Sequence, residues 1–178
     1  MVTPPAPPPF VAVISPVREV TLHGSADLVR WRDLLRLEGL EPAAVGGRAR
    51  ILVSAIESSF RGARFREAVI SVAVADRDGT EAGYLGQAFN SSRFFAFVER
   101  RIFRTPYAHA RVALDMSPAV GFDVGVGPAT ILRGALRLGD GTAARRPLRT
   151  GNELFEGRIH LPSRPGADRS LGRWFHAR

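Results

Sequence analysis

The sequence contains neither lysine nor cysteine: its 25 basic residues, spread over 178 positions, are all arginine. Without lysine, no side chain offers a primary amine that could form an iminium with a carbonyl compound. Without cysteine there is no disulfide, no thiolate nucleophile and no cysteine metal site, which fits a cytoplasmic protein. No apolar run approaches the length of a membrane span, so no membrane partner is expected. Neither a Gly-x-Ser-x-Gly nucleophile elbow nor a phosphate-binding loop occurs. The glycines at 121, 125 and 127 do not compose a dinucleotide fingerprint, and Gly125-Val126-Gly127-Pro128 reads as a turn. The four histidines, His23, His109, His160 and His176, lie far apart, and no pair has helical or strand ligand spacing. Neither a metal nor any other cofactor is therefore expected.

What is present is ordinary globular composition, 45% apolar and 24% charged, enough for one domain with a core. The net charge of +8 raises the question of nucleic acid. However, the arginines run from Arg18 to Arg178 with acidic residues between them, and no nucleic-acid motif accompanies them. A mixed, solvated surface is the better reading, and nucleic acid is the least favoured partner.

Met1–Phe10, with Pro4, Pro5, Pro7, Pro8 and Pro9, reads as a polyproline-type tail and not as a secretory signal. Residues 11–178 read as a single domain. Val11–His23 is β-rich. Ser25 is the expected N-cap of an amphipathic helix over Ala26–Leu37, with Leu28, Trp31, Leu34 and Leu35 on its apolar face. Arg48–Glu57 and Arg64–Asp76 read as strands, and Asp78-Gly79 as the hairpin turn into Glu81–Phe89. Asn90 or Ser91 should cap a second helix reaching about Phe103, with Phe94, Phe95, Val98 and Ile102 inward. Beyond Ala108 the chain is strand-rich: Ala110–Met116, Val120–Val126, Thr130–Leu138, Leu154–Leu161 and Leu171–Ala177, with a turn at Asp140-Gly141. Many short strands and two helices predict a mainly β (α+β) fold: an antiparallel β-barrel or strongly bent sheet with two helices packed on it. Such a barrel keeps room for a ligand.

The order of elements and several local strings resemble the acetoacetate decarboxylase-like superfamily, diffusely, from about Val17 onward. Arg18-Glu19 stands where that family opens its first strand with an active-site arginine. The segment Ala49–Glu67 follows the family pattern without a gap and ends on a pocket glutamate, here Glu67. A second pocket glutamate falls on Leu52. The family's Tyr-Pro-Lys-Lys string corresponds to Thr105-Pro106-Tyr107-Ala108, so Tyr107 occupies the Schiff-base position. Phe155–Pro162 and Gly172–Arg178 resemble the family's late hairpin. Relatives continue past Trp174 and Phe175, so the resemblance implies either a shortened sheet, whose open edge would suit a second copy, or a chain that lacks its true C-terminus.

The resemblance implies an interior pocket for a small carbonyl or carboxylate compound, without the family's lysine chemistry. Arg18 would grip a carboxylate or enolate oxygen by its two-pronged guanidinium. Glu67 shares its strand face with Phe65 and Val69, where an apolar setting raises a carboxyl pKa and suits acid–base work. Tyr107 and His109 alternate with Ala108 and can share a face as acid, base or donor. Leu52 and Phe65 would line the ligand. Each has a plainer reading, as surface ion pair, core phenol or exposed imidazole. Two functions stay open: a lysine-independent enzyme of lyase, isomerase or cyclase type, or a non-catalytic binding barrel.

Overall fold

Alternating small and β-branched residues build long strands here. The first half of the chain forms β1 (Val17–Asp27), helix α1 (Leu28–Arg36), the short strands β2 (Glu41–Pro42) and β3 (Ala44–Val45), then β4 (Arg48–Phe60), β5 (Ala63–Ala75) and β6 (Glu81–Asn90). Helix α2 (Arg93–Arg101) follows, then β7 (Tyr107–His109), β8 (Arg111–Asp115), β9 (Val120–Val126), β10 (Ala129–Leu136), β11 (Phe155–His160) and β12 (Arg173–Ala177). The structure, a computed structural model, describes residues 14–75, 81–116, 120–136, 155–160 and 173–177, the last two stretches through their backbone pairing. The tail 1–10, the start of the Val11–His23 strand, and the turns expected at Asp78-Gly79 and Asp140-Gly141 lie outside the described residues.

Among the described residues, one sheet follows the path β1-β4-β5-β6-β11-β12, with β2, β3 and β7 attached to β5, β4 and β6. The strands β8, β9 and β10 form a second, antiparallel sheet. The fold is mainly β with two helices, as the sequence leads one to expect. The larger sheet's path has two ends, so it is a bent sheet and not a closed barrel among these residues. Pairing is antiparallel except at β6, which takes β7 and β11 in parallel. For β7 the cause is α2, which carries the chain back across before the strand begins.

The β4–β5 hairpin turns on Arg61 (φ 48°) and Gly62 (φ 84°), both left-handed. That is the primed two-residue geometry whose twist matches the strands it joins. Register is then unbroken across β1, β4 and the first part of β5. Arg18, Glu57 and Arg66 form one cross-strand row, and Glu19, Ile56 and Glu67 form the next. Adjacent rows point to opposite faces.

The first of those faces carries Val20, Ala55, Ala68 and Phe89, which pack on Val112, Phe122 and Val124 of the three-stranded sheet. The layers close over Gly134. A Cβ there would stand 2.4 Å from Phe122 Cε1 and 2.9 Å from Leu22 Cδ1. Gly134→Ala should therefore cost about 1–3 kcal/mol through overpacking. It should lower the urea midpoint at an unchanged m-value, and an unmoved midpoint would contradict this packing.

Helix α1 starts two residues later than a Ser25 cap would set it. The strand β1 stays paired as far as Asp27↔Arg48, so Ser25 lies in the strand. Asp27 caps instead, accepting the Arg30 N–H at 2.7 Å. Trp31 and Leu35 pack on Val72, Val74, Ala82 and Tyr84, while Leu34 is exposed. Trp31 lies over Gly86, where a Cβ would come within 3.2 Å of its ring.

Ser92, not Asn90 or Ser91, caps α2, accepting the Phe95 N–H at 3.3 Å. The apolar face expected there is also rotated: Ala96 is buried and Phe95 partly so, but Phe94 and Ile102 are exposed. No helix among the described residues is long and apolar enough to cross a membrane.

Candidate functional site

Five of the six side chains singled out from the sequence share one face of the larger sheet. In the register of β5, β6 and β7, Glu67 stands opposite Asn90 and Asn90 opposite His109. The adjoining same-face row is Val69, Ala88 and Tyr107. Phe65 lies two residues before Glu67 on β5. Leu52 pairs with Ser71, two residues beyond Val69 on the same side. Period-two alternation therefore places Leu52, Phe65, Glu67, Tyr107 and His109 together.

Arg18 does not join them. It pairs with Glu57, which pairs with Arg66, the residue next to Glu67, so it points to the opposite face. The expectation that Arg18 and Glu67 enter one cavity is not met. Neighbouring residues of a strand cannot face the same way, and it is Glu19 that shares the row of Glu67. Arg18 instead adds its charge to an ion-pair cluster. Arg66 Nε donates to Glu57 Oε2 at 2.7 Å and, with Arg18 and Arg64 nearby, holds the Glu57 carboxyl below its usual range.

The centre of the shared face is a short hydrogen bond. The Tyr107 hydroxyl donates to Glu67 Oε1 at 2.6 Å. The amide of Asn90 donates through Nδ2 to Glu67 Oε2 at 3.1 Å. Asn90 is only 2% exposed, and its Oδ1 accepts the Ser92 N–H at 2.8 Å. The loop that opens α2 thus fixes the amide's orientation, which fixes a donor toward Glu67.

Burial raises the Glu67 carboxyl from 4.5 to about 7; the Tyr107 hydrogen bond opposes this, the charge of Glu99 adds to it, and Asn90 opposes it again. Tyr107 is pushed well above its usual value by burial and by the negative charge of Glu67. Glu99, on the last turn of α2, is itself raised by burial, against a hydrogen bond from Thr105. Thr105 is buried, and its hydroxyl lies 3.0 Å from Glu99 Oε2 and 2.8 Å from the Glu99 carbonyl oxygen. Its N–H donates to that same carbonyl at 3.1 Å. The chain just before Tyr107 is thereby tied to the end of α2.

Phe65 is 8% exposed and meets Phe95 edge-on at 5.2 Å between ring centres, so it serves packing on this face. His109 is exposed at the rim. Chemically, the arrangement sets a carboxyl whose pKa is raised to about 7 beside a phenol. Among the described residues no three His, Asp or Glu side chains gather as a metal-binding group.

Sequence reasoning missed Asn90, Glu99 and Thr105 as parts of this arrangement. Asn90 was legible only as a helix cap. Its place opposite Glu67 depends on a register shift between Ile70 and Ser71, where β6 carries Gly86 as an extra residue. Without that shift Phe89 would face Glu67.

No protein-family model and no curated protein matches the sequence. Solved structures match in fold. A structure of acetoacetate decarboxylase shares 14% identity at a TM-score of 0.55, covering 64% of this chain and 46% of that one. The acetoacetate decarboxylase of Legionella pneumophila subsp. pneumophila str. Philadelphia 1 shares 15% at 0.58, covering 86% and 59%. An acetoacetate decarboxylase-like enzyme from Sphingomonas wittichii RW1 shares 18% at 0.51, covering 90% and 69%. The chain thus has the acetoacetate decarboxylase-like fold at low identity, and it spans about half the length of the first two structures.

Proposed function

We propose that the chain is a distant, lysine-free relative of the acetoacetate decarboxylases that binds a small carbonyl or carboxylate compound beside Glu67 and Tyr107 and moves a proton on it. One observation carries this reading: the 2.6 Å contact between Tyr107 and Glu67. It joins the position that the resemblance assigns to the Schiff-base lysine with the position it assigns to a pocket glutamate. A phenol in place of the amine forms no iminium, so the reaction class is proton transfer of lyase, isomerase or cyclase type.

In this reading Glu67 is the acid or base, and Tyr107 donates a hydrogen bond to the ligand oxygen. Leu52 lines the face, and His109 stands at its rim. Arg18 has no part in it, since it lies on the other side of the sheet. The alternative is a binding protein with no turnover. A role on nucleic acid is less favoured, because Arg32, Arg50, Arg66, Arg111 and Arg133 are each paired with a carboxylate. The lack of cysteine fits a cytoplasmic protein, and β1, which pairs with β4 alone among the described residues, offers a second copy a strand edge to pair with.

Native mass spectrometry of the purified protein tests the binding half, with retention of a small carbonyl or carboxylate compound expected. Borohydride reduction in the presence of acetoacetate tests the chemistry. The side chains should carry no adduct, and a reduced substrate adduct on an internal residue would refute the proposal. A retained compound that the protein releases unchanged would select the binding reading.

A further inference from the structure

The two donors on Glu67 differ in what they can do. Asn90 cannot reverse, because Oδ1 is occupied by the Ser92 N–H at 2.8 Å and Nδ2 is left to face Glu67. Tyr107 can reverse, since a hydroxyl both donates and accepts. While Glu67 is ionised, Tyr107 donates to Oε1. Once Glu67 takes a proton, Oε2 goes on accepting from the fixed amide of Asn90 as the carbonyl oxygen, the better acceptor of the two. The proton then favours Oε1, where it can be donated to the Tyr107 oxygen. The hydroxyl proton of Tyr107 must then turn away from Glu67. Tyr107 is half-buried, and its turned hydroxyl needs a new acceptor, which a ligand oxygen can supply.

We propose that Tyr107 is a reversible hydrogen-bond relay, through which a ligand with an acceptor oxygen of carbonyl type binds with uptake of one proton onto Glu67. This rests on the reading of this face as the ligand site. The balance is simple. One proton from solvent joins Glu67 Oε1, the Tyr107 proton rotates without leaving its oxygen, and no bond to carbon changes. A ligand offering only a donor would favour the ionised state instead, donating to the Tyr107 oxygen while Tyr107 donates to Glu67.

The groups facing Glu67 agree with this. From β4 comes the apolar Ile56, from β6 Asn90, from β7 Tyr107 and the exposed His109, and from α2 Glu99. Among them Glu99 disfavours a second negative charge, and Arg66 points to the other face. The carboxyl's position near 7 puts the reversal at neutral pH. Glu67→Gln should copy the protonated state. Because Asn90 is fixed as a donor, the Gln oxygen must face it and the Gln amide N–H must donate to the Tyr107 oxygen, which holds the hydroxyl proton outward.

The chain has two tyrosines, Tyr84 and Tyr107, so carbon-13 labelling of tyrosine Cζ gives two signals, which Tyr107→Phe assigns. With glutamate Cδ labelled as well, the full chain can be titrated by NMR. The expected result is a Tyr107 Cζ shift with the same midpoint as Glu67 Cδ, near 7. In Glu67→Gln the Cζ signal should stay at its low-pH position, and acetone, an acceptor with no donor, should raise the midpoint in the parent. Should Glu67→Gln not fold, Tyr107→Phe still reports, because loss of the donor should raise the Glu67 midpoint. A Tyr107 signal that stays flat while Glu67 titrates would overturn the relay and leave the proton-handling reading standing. A midpoint unmoved by acetone would overturn the coupling to a ligand. Glu67 titrating near 4.5 would overturn the proton-handling reading itself and the relay with it.

Discussion

Glu67→Gln should abolish any turnover while sparing ligand affinity, and it should make the protein markedly less sensitive to alkaline conditions. Folding lifts the Glu67 carboxyl from 4.5 to about 7, chiefly by burial. Between those values the folded chain holds a proton that the unfolded chain has released, so stability falls as pH rises across the window. Below 4.5 both states are protonated and Glu67 costs nothing; above 7 the full cost is present. The difference is worth up to about 3 kcal/mol, less whatever the accessible part of the side chain recovers from solvent. Urea unfolding of parent and variant below 4.5 and above 7 separates this from other groups, Glu99 among them. The parent should lose about 2–3 kcal/mol more than Glu67→Gln over that interval. Equal losses would mean that Glu67 ionises as it does in water.

Leu35→Ala should be the most damaging single truncation of α1, costing about 2–5 kcal/mol. Leu35 is 0% exposed and closes the cluster of Val72, Val74, Ala82 and Tyr84 beneath the helix. One residue away, Leu34 is 53% exposed, so Leu34→Ala should stay within about 0.5 kcal/mol. Denaturant midpoints of the two variants check this directly, and similar losses would contradict the burial of Leu35 and the exposure of Leu34 on α1. Because α1 covers β5 beyond Val72 and not the Glu67 row, Leu35→Ala should also leave the Glu67 titration unmoved.

Much of the fold was legible because it is written in short periods. Alternation in Arg64–Asp76 placed Phe65, Glu67 and Val69 on one side of β5, where the structure has them. The helices were found, but their faces were not. In α2, four apolar residues within one turn left the inward direction open, and packing chose Phe95 and Ala96 over Phe94 and Ile102. Ser25 was a reasonable cap by residue type, yet β1 gains more by pairing with β4 through Asp27.

The candidate site was legible in part for the same reason. Glu67, Tyr107 and His109 follow from alternation once the strands are known. Arg18 was misplaced because a resemblance carries positions and not faces, and a single step along a strand reverses the face. Asn90 lay hidden behind the bulge at Gly86, and Glu99 behind a helix-to-strand crossover that sequence periodicity does not encode.

Glu67 should keep a proton under conditions where ordinary carboxyls have lost theirs. Infrared difference spectroscopy of the parent against Glu67→Gln, at a pH midway between 4.5 and 7, reads that proton directly. The expected result is a protonated-carboxyl C=O band in the parent that the variant lacks and that fades as the pH is raised above 7. A difference spectrum showing only the ionised carboxylate of Glu67 at that midway pH would contradict the account.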